Sequence, residues 1–238
     1  FLNVKIIYFV HGYRFHSKGN FLLNNIFFII EKFLALFTYA YININKYDYN
    51  ATKKYFNKKV ILVNGVGINT NIKENTFINH KNKNKFIIGY VGAFKKSKVY
   101  YDLLNLANKL KNNKKIYFDC YGYGNFTKFQ NKIDVLKLKN IQLNQFEENI
   151  ISKMKNFDLL LSLSHREGLP VSFLENMSQA VPVIAYNIRG AKDLIINNHN
   201  GYLFERNNIQ EVFDKIIYLS KNNDKLSEIS KNSYNFID

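Results

Sequence analysis

The feature that most constrains this chain is an alternation. Short apolar runs of strand length are separated by amphipathic stretches of helical period, from residue 5 to the end. Strands are expected at 5–10, 40–44, 60–63, 86–91, 115–121, 141–143, 157–163, 182–186 and 202–204. Helices are expected at 21–39, 46–56, 99–110, 126–138, 150–155, 171–179, 191–196, 209–220 and 225–236. Strict alternation of this kind specifies an α/β fold, a parallel sheet with helices on both faces. Such doubly wound sheets take ligands at the carboxyl ends of their strands.

A polar stretch rich in Asn and Lys, 69–85, interrupts the alternation and reads as a linker. The expected organisation is a first domain at 1–75, a linker at 76–85, a second domain at 86–220 and a closing helix at 221–238. The second block carries enough strands for a complete domain. The first carries too few and is expected to be incomplete, and Phe1 in place of Met points to a fragment.

The chain has 238 residues, a formal charge of +16 and 47% hydrophobic residues, so a sizeable core is within reach. The lysines are scattered rather than clustered, and Lys, Asn, Ile, Phe and Tyr recur throughout, as codon bias in an AT-rich genome would produce. Nucleic acid is therefore not expected as a partner. The single cysteine, Cys120, lies in an apolar run and reads as a core residue of a protein from a reducing compartment. No signal peptide is recognisable, which gives a cytoplasmic expectation. The apolar segment 21–37 is interrupted by Asn24, Asn25, Glu31 and Lys32, so it is not a membrane span. Its first reading is a buried helix, and its second an interfacial helix against an anionic membrane.

Several chemistries are excluded by their missing motifs. No phosphate-binding loop ends in Gly-Lys-Ser or Gly-Lys-Thr, and Gly122 and Gly124 lack a third glycine at Thr127. No Gly-x-Ser-x-Gly elbow and no zinc spacing of Cys or His is found. No two aspartates sit one residue apart to hold a metal–diphosphate complex, so phosphate is expected to be bound without metal or other cofactor.

The segment with chemical content is Ser164-His165-Arg166-Glu167-Gly168-Leu169-Pro170, which follows a strand and opens a helix. Gly168 is read as permitting a sharp turn. Pro170 suits a first helical turn, leaving the amides of Val171, Ser172 and Phe173 free as an anion site. Glu167 precedes the helix and Glu175 lies about one turn inside it. Helical side chains tilt toward the N-terminus, so both carboxylates can border one site. Alone, each glutamate reads as a macrodipole partner or a solvated helix residue. Together, beside an anion site, they suit the hydroxyls of a sugar or ribose.

The sequence REGLPVSFLENMSQAVPVIAYNIRGAKDLI, with Glu167 and Glu175 separated by seven residues, resembles the donor-binding signature of retaining glycosyltransferases of family 4. The element at 189–195 and NNHNGYLF at 197–204 are similar to bacterial capsule, exopolysaccharide and lipopolysaccharide sugar transferases. VGAFKKSK at 91–98, NGVGIN at 64–69 and VHGYRF at 10–15 extend the resemblance over nearly the whole chain.

The resemblance implies the GT-B architecture, two doubly wound domains facing a cleft, here with the N-terminal, acceptor-side domain incomplete. The closing helix would pack back toward the N-terminal domain. The implied activity is metal-independent transfer, with retention, from a nucleotide diphosphate sugar to a glycan or lipid-linked acceptor. By the same resemblance, Glu167 contacts the transferred sugar and Glu175 holds the ribose. The backbone of Gly168, Leu169, Pro170 and Val171 faces sugar and diphosphate. Gly92 lies in the first donor loop, Lys98 matches the diphosphate lysine, and His11 matches a histidine near the reaction centre. A lone histidine at a strand end is otherwise an ordinary loop residue.

The chain departs from the family pattern at Ala93, where an arginine is usual and where Lys95 or Lys96 would have to substitute. It departs again near Ala180, where the usual glycine is absent, a change expected to touch packing only. Two other readings stand beside the enzyme. One is another GT-B enzyme, such as a nucleotide-sugar epimerase. The other is a non-catalytic nucleotide-sugar-binding fragment or partner subunit.

Overall fold

In the computed structural model the described residues are 4–16, 20–63, 65, 67–68, 84–94 and 98–237. The polar linker stretch expected at 69–85 lies outside them up to residue 83, as do the lysines at 95 and 96 and the side chain of Lys98. The chain divides into two compact units. Unit 1 comprises Phe1–Gly67 with Arg166–Val171 and Ile188–Asp193; unit 2 comprises Ile68–His165, Ser172–Asn187 and Leu194–Asp238.

Unit 1 is built on a parallel sheet of β1 (Ile6–Val10), β2 (Thr38–Asn43) and β3 (Lys59–Leu62), in the order β1-β2-β3. Helix α1 (Phe21–Phe37) connects β1 to β2, and α2 (Lys46–Phe56) connects β2 to β3. Helix α1 passes into β2 without a loop: Thr38 leaves the helical conformation while its Oγ1 donates to the Leu34 carbonyl at 3.0 Å. The expected helix therefore stops two residues early, because a β-branched residue caps the last turn and starts the strand. The core is aromatic. Val10, Tyr13, Phe15, Ala35, Tyr41 and Phe56 are buried together, with Tyr41 stacked on Phe56 at 5.6 Å and Tyr13 on Phe15 at 4.8 Å.

Helix α1 corrects the expectation of a buried helix. Only Ala35 is fully buried. Its half-buried stripe is Asn24, Phe27, Phe28 and Glu31, and the outward side presents apolar side chains, with Leu22 71%, Ile29 65%, Phe33 59% and Leu36 70% exposed. The polar residues in the inward stripe are used locally. The Asn24 amide bonds both the N–H and the carbonyl of His16, and the Tyr8 hydroxyl donates to Glu31 at 3.3 Å. With three strands the sheet of unit 1 offers cover for one stripe of α1 and no more. Among the described residues no helix is long and apolar enough to cross a membrane.

Unit 2 holds six parallel strands: β4 (Phe86–Val91), β5 (Ile116–Tyr121), β6 (Ile141–Asn144), β7 (Leu159–Ser162), β8 (Val183–Tyr186) and β9 (Gly201–Phe204). Their order is β6-β5-β4-β7-β8-β9, so the winding direction reverses between β4 and β7. That reversal is the dinucleotide-fold order, and the crevice beyond the carboxyl ends at the switch point is where such sheets bind ligands. The connections are α3 (Lys98–Lys109), α4 (Phe126–Val135), α5 (Ile150–Met154), α6 (Val171–Ser178) and α7 (Ala191–Leu194), followed by α8 (Ile209–Lys221) and α9 (Asn223–Asn235). Ile88, Leu106, Ile116, Phe118, Phe157 and Leu159 form the centre of the core. Cys120 is fully buried and burial pushes its thiol pKa up, which suits a core residue and not a nucleophile.

Candidate donor-binding site

The switch point sets the first landmark. Strands β4 and β7 pair in parallel, Ile88 with Leu159 and Gly89 with Leu160, so the segments that follow them leave the same edge side by side. Gly92 follows β4 directly. Its N–H donates to the Tyr121 carbonyl at 3.0 Å, and a Cβ on Gly122 would overlap the Gly92 carbonyl oxygen. The loop after β4 is thus held against the end of β5. Lys98 is the first residue of α3, placing its backbone one helix start away from that loop.

Strand β7 leads into the segment from Leu163 to Pro170, and α6 begins at Val171. Tyr186, at the end of β8, donates to Asp102 of α3 at 2.8 Å, and its ring lies 5.8 Å from that of His165. Arg206 Nη2 donates to the His165 carbonyl. The entry to the segment is therefore fastened from α3, β8 and the loop after β9.

Glu175 sits in α6, half-buried. Burial alone raises its carboxyl pKa, and no described side chain bonds or pairs with it. A carboxylate that loses water without gaining a protein partner is a costly arrangement, and one found where a ligand supplies the hydrogen bonds.

Two pieces of the signature, Arg166–Val171 and Ile188–Asp193, belong to unit 1. At Gly168 the φ is not positive, and a Cβ there would overlap the His11 carbonyl oxygen. The chain does bend at Gly168 and Leu169, as the sequence reading expected, but what requires a glycine is the close approach: the missing side chain lets two backbones touch. His11, one residue beyond β1, is exposed, with its ring 4.9 Å from that of Phe9. Gly12 has φ +142°, and a Cβ there would come within 2.7 Å of Arg189 Nη2. Leu169 and Pro170 are buried. His11, Glu167 and Gly168 are therefore brought together in unit 1, while Gly92, Lys98 and Glu175 belong to unit 2.

Sequence reasoning missed the group that holds this arrangement. Asp48, fully buried at the start of α2, accepts from Arg189 Nη1 at 2.9 Å and from the Tyr13 N–H at 3.3 Å through Oδ1. Its Oδ2 accepts from Asn45 Nδ2 at 2.6 Å, and the Asn45 side chain caps the helix by accepting the Asp48 N–H at 2.8 Å. Burial raises the Asp48 carboxyl pKa, opposed chiefly by Arg189. Arg189 Nε also donates to the Glu167 carbonyl at 3.2 Å, and Arg166 Nη2 to the Tyr13 carbonyl at 3.0 Å. Arg189 was visible as part of a motif, but its partner lies 141 residues away and no local pattern marks it. Among the described residues no group of three or more His, Cys, Asp or Glu is placed to hold a metal ion.

A doubly wound sheet whose winding reverses at a switch point defines an α/β protein of the kind that binds ligands beyond its strand carboxyl ends. Residues 71–236 match the family model described as glycosyl transferases group 1, and the chain belongs to that family. Over 148 residues it is 32% identical to the poly(ribitol-phosphate) alpha-N-acetylglucosaminyltransferase of Staphylococcus aureus (strain COL), which covers 59% of this chain and 29% of that enzyme. The crystal structure of TarM superimposes with a TM-score of 0.82 at 24% identity, covering 99% of this chain and 47% of that one. The crystal structure of Anabaena HepE in complex with UDP and glucose gives 0.80 at 17% identity, covering 98% of this chain and 66% of that one. These likenesses establish the GT-B fold class. The chain spans about a third of the first relative's length and about half of TarM's.

Proposed function

We propose that the protein carrying these residues transfers a sugar from a nucleotide diphosphate sugar to a glycan or lipid-linked acceptor of a bacterial surface polysaccharide. The observation that carries this reading is the signature pair, Glu167 and Glu175, with a half-buried carboxylate on Glu175 that no described residue satisfies. The relative named as an N-acetylglucosaminyltransferase and the HepE complex with UDP and glucose support it. In this reading Glu175 accepts hydrogen bonds from ribose hydroxyls and Glu167 from the transferred sugar. Gly92 and the backbone from Gly168 to Val171 lie along the sugar and diphosphate.

Sugar transfer builds positive charge at the anomeric carbon and negative charge on the departing diphosphate. The first-turn amides of α6 and Lys98 stabilise that leaving charge with no metal required. His11 stands near the reaction centre. Transfer proceeds with retention of configuration. Residues 1–75 form the acceptor side and 86–220 the donor side. The outward apolar face of α1 makes a peripheral contact with an anionic membrane surface, on the cytoplasmic side.

Titration of the 238-residue chain with UDP, GDP and their sugars tests the reading. At least one nucleotide sugar is expected to bind, and Glu167→Ala with Glu175→Ala is expected to weaken it by 10-fold or more, on the order of the loss of one or two charged hydrogen bonds. Absence of binding by every uridine and guanosine diphosphate sugar, or binding indifferent to the double substitution, overturns it.

A further inference from the structure

Arg189 bonds none of the side chains that the donor reading assigns to ligand, yet it reaches the Glu167 carbonyl and the Gly12 backbone next to His11. Its three guanidinium nitrogens are spent on three elements. Nη1 pairs with Asp48 of α2 at 2.9 Å. Nε donates to the Glu167 carbonyl at 3.2 Å. Nη2 lies against Gly12, leaving no room for a side chain there. The pair is nearly closed to solvent, with side chains 9% and 0% exposed.

A buried ion pair contributes little net stability on its own, because desolvation offsets the attraction. Its better-attested use is to specify one arrangement among several. Here the arrangement specified is the one in which the Glu167 backbone is fixed and the Gly168 backbone lies on the His11 carbonyl. Asp48 is itself immobilised. The Asn45 amide and the Tyr13 N–H also donate to it, so the carboxylate cannot swing away without losing both bonds. Arg166 adds a second strut from the same loop to the Tyr13 carbonyl, one residue beyond Gly12.

We infer that Arg189 and Asp48 form a positioning pair that sets the Glu167 side chain for the transferred sugar by pinning the 166–171 loop to the 11–13 turn. The functional half of this inference rests on the reading of Glu167 as a sugar contact; the structural half does not. Arginine is needed rather than lysine, because a planar fork can reach a carboxylate and a carbonyl in different directions at once, and an ammonium on a flexible stem cannot.

The test compares the wild-type chain with Arg189→Lys and Asp48→Asn, two substitutions that preserve volume. Amide hydrogen exchange is followed across the chain, and UDP and UDP-N-acetylglucosamine are titrated separately. The expected result is exchange at least about 10-fold faster at 10–13 and 166–171 in both variants, with strands β4 to β9 unchanged. UDP affinity is expected to stay within about twofold, while the extra affinity conferred by the sugar is lost. Unchanged exchange at those segments overturns the positioning role. Equal loss of both ligands, together with faster exchange everywhere, reduces the pair to an ordinary stabilising contact and overturns it too. A wild-type chain that does not distinguish UDP-N-acetylglucosamine from UDP counts against Glu167 as a contact for that sugar. The exchange data then still decide whether Arg189 holds the loop.

Discussion

Ala180 has φ +55° and is fully buried at the end of α6. The Val181 N–H reaches back to the Asn176 carbonyl at 3.0 Å and the Ala180 N–H to the Met177 carbonyl at 2.9 Å, the bond pair of a Schellman cap with Ala180 in the left-handed position. The absent glycine therefore costs backbone strain and does not merely alter packing, as the sequence led one to expect. A left-handed non-glycine residue costs about 1–2 kcal/mol, and glycine returns about 0.4–1 kcal/mol of that as unfolded-state entropy. Ala180→Gly is expected to stabilise by about 0.5–1 kcal/mol, seen as a Tm higher by about 1–4 °C. A lower Tm would show that the buried methyl matters more than φ.

Glu175 shows the opposite compromise at the same scale. Its folded pKa is raised by desolvation, so between the ordinary and raised values the native state binds more protons than the unfolded chain. Stability contributed at this site therefore falls as pH rises through that window, and the penalty is complete above it. Glu175→Gln is expected to raise Tm at pH 7 by about 1–3 °C, the gain vanishing at acid pH below the window, while nucleotide-sugar binding weakens. Thermal denaturation from pH 4 to 8, with a ligand titration at pH 7, checks both halves. Wild-type donor affinity is expected to decline as pH falls through the raised value, because a protonated carboxyl is a poorer acceptor for two hydroxyls.

At the scale of elements, α1 separates local pattern from environment. Its period and length were legible, and so were its polar interruptions at Asn24 and Glu31. What could not be read is that these polar residues point inward beside Phe27 and Phe28, to the His16 backbone and the Tyr8 hydroxyl, while most of the apolar ones are exposed. Hydrophobicity marks which residues avoid water but not which body covers them. Replacing Ile29, Phe33 and Leu36 together by Gln removes side chains that are 65%, 59% and 70% exposed. Little burial is lost, so Tm is expected to move by less than about 2 °C. Co-sedimentation with anionic vesicles is expected to drop severalfold. Unchanged sedimentation would take α1 out of any membrane contact.

The strands tell the complementary story. Every expected strand is present within two residues at each end, 86–91 to the residue, because an apolar run bounded by polar turns has few alternatives in a parallel sheet. Order within the sheet, by contrast, depends on which runs pair. Nothing local says that β4 is flanked by β5 and β7, and that pairing creates the switch point.

At the scale of the whole molecule, two kinds of information separate. The sequence by itself determined the α/β class, the parallel alternation, the signature from Glu167 to Glu175 and the loop glycines, because each depends on residues within a turn or a short segment of one another. Only the tertiary structure decided what those residues are for. It showed that Gly168 is a glycine because the His11 carbonyl lies against it, and that Arg189 serves Asp48 and Glu167 at once. It also showed that the carboxylate of Glu175 loses water without a described partner. The physical reason is the range of the interactions. Helix and strand periods are set by neighbours, whereas backbone approach, ion pairing and desolvation are set by segments as far apart as Asp48 and Arg189, 141 residues along the chain.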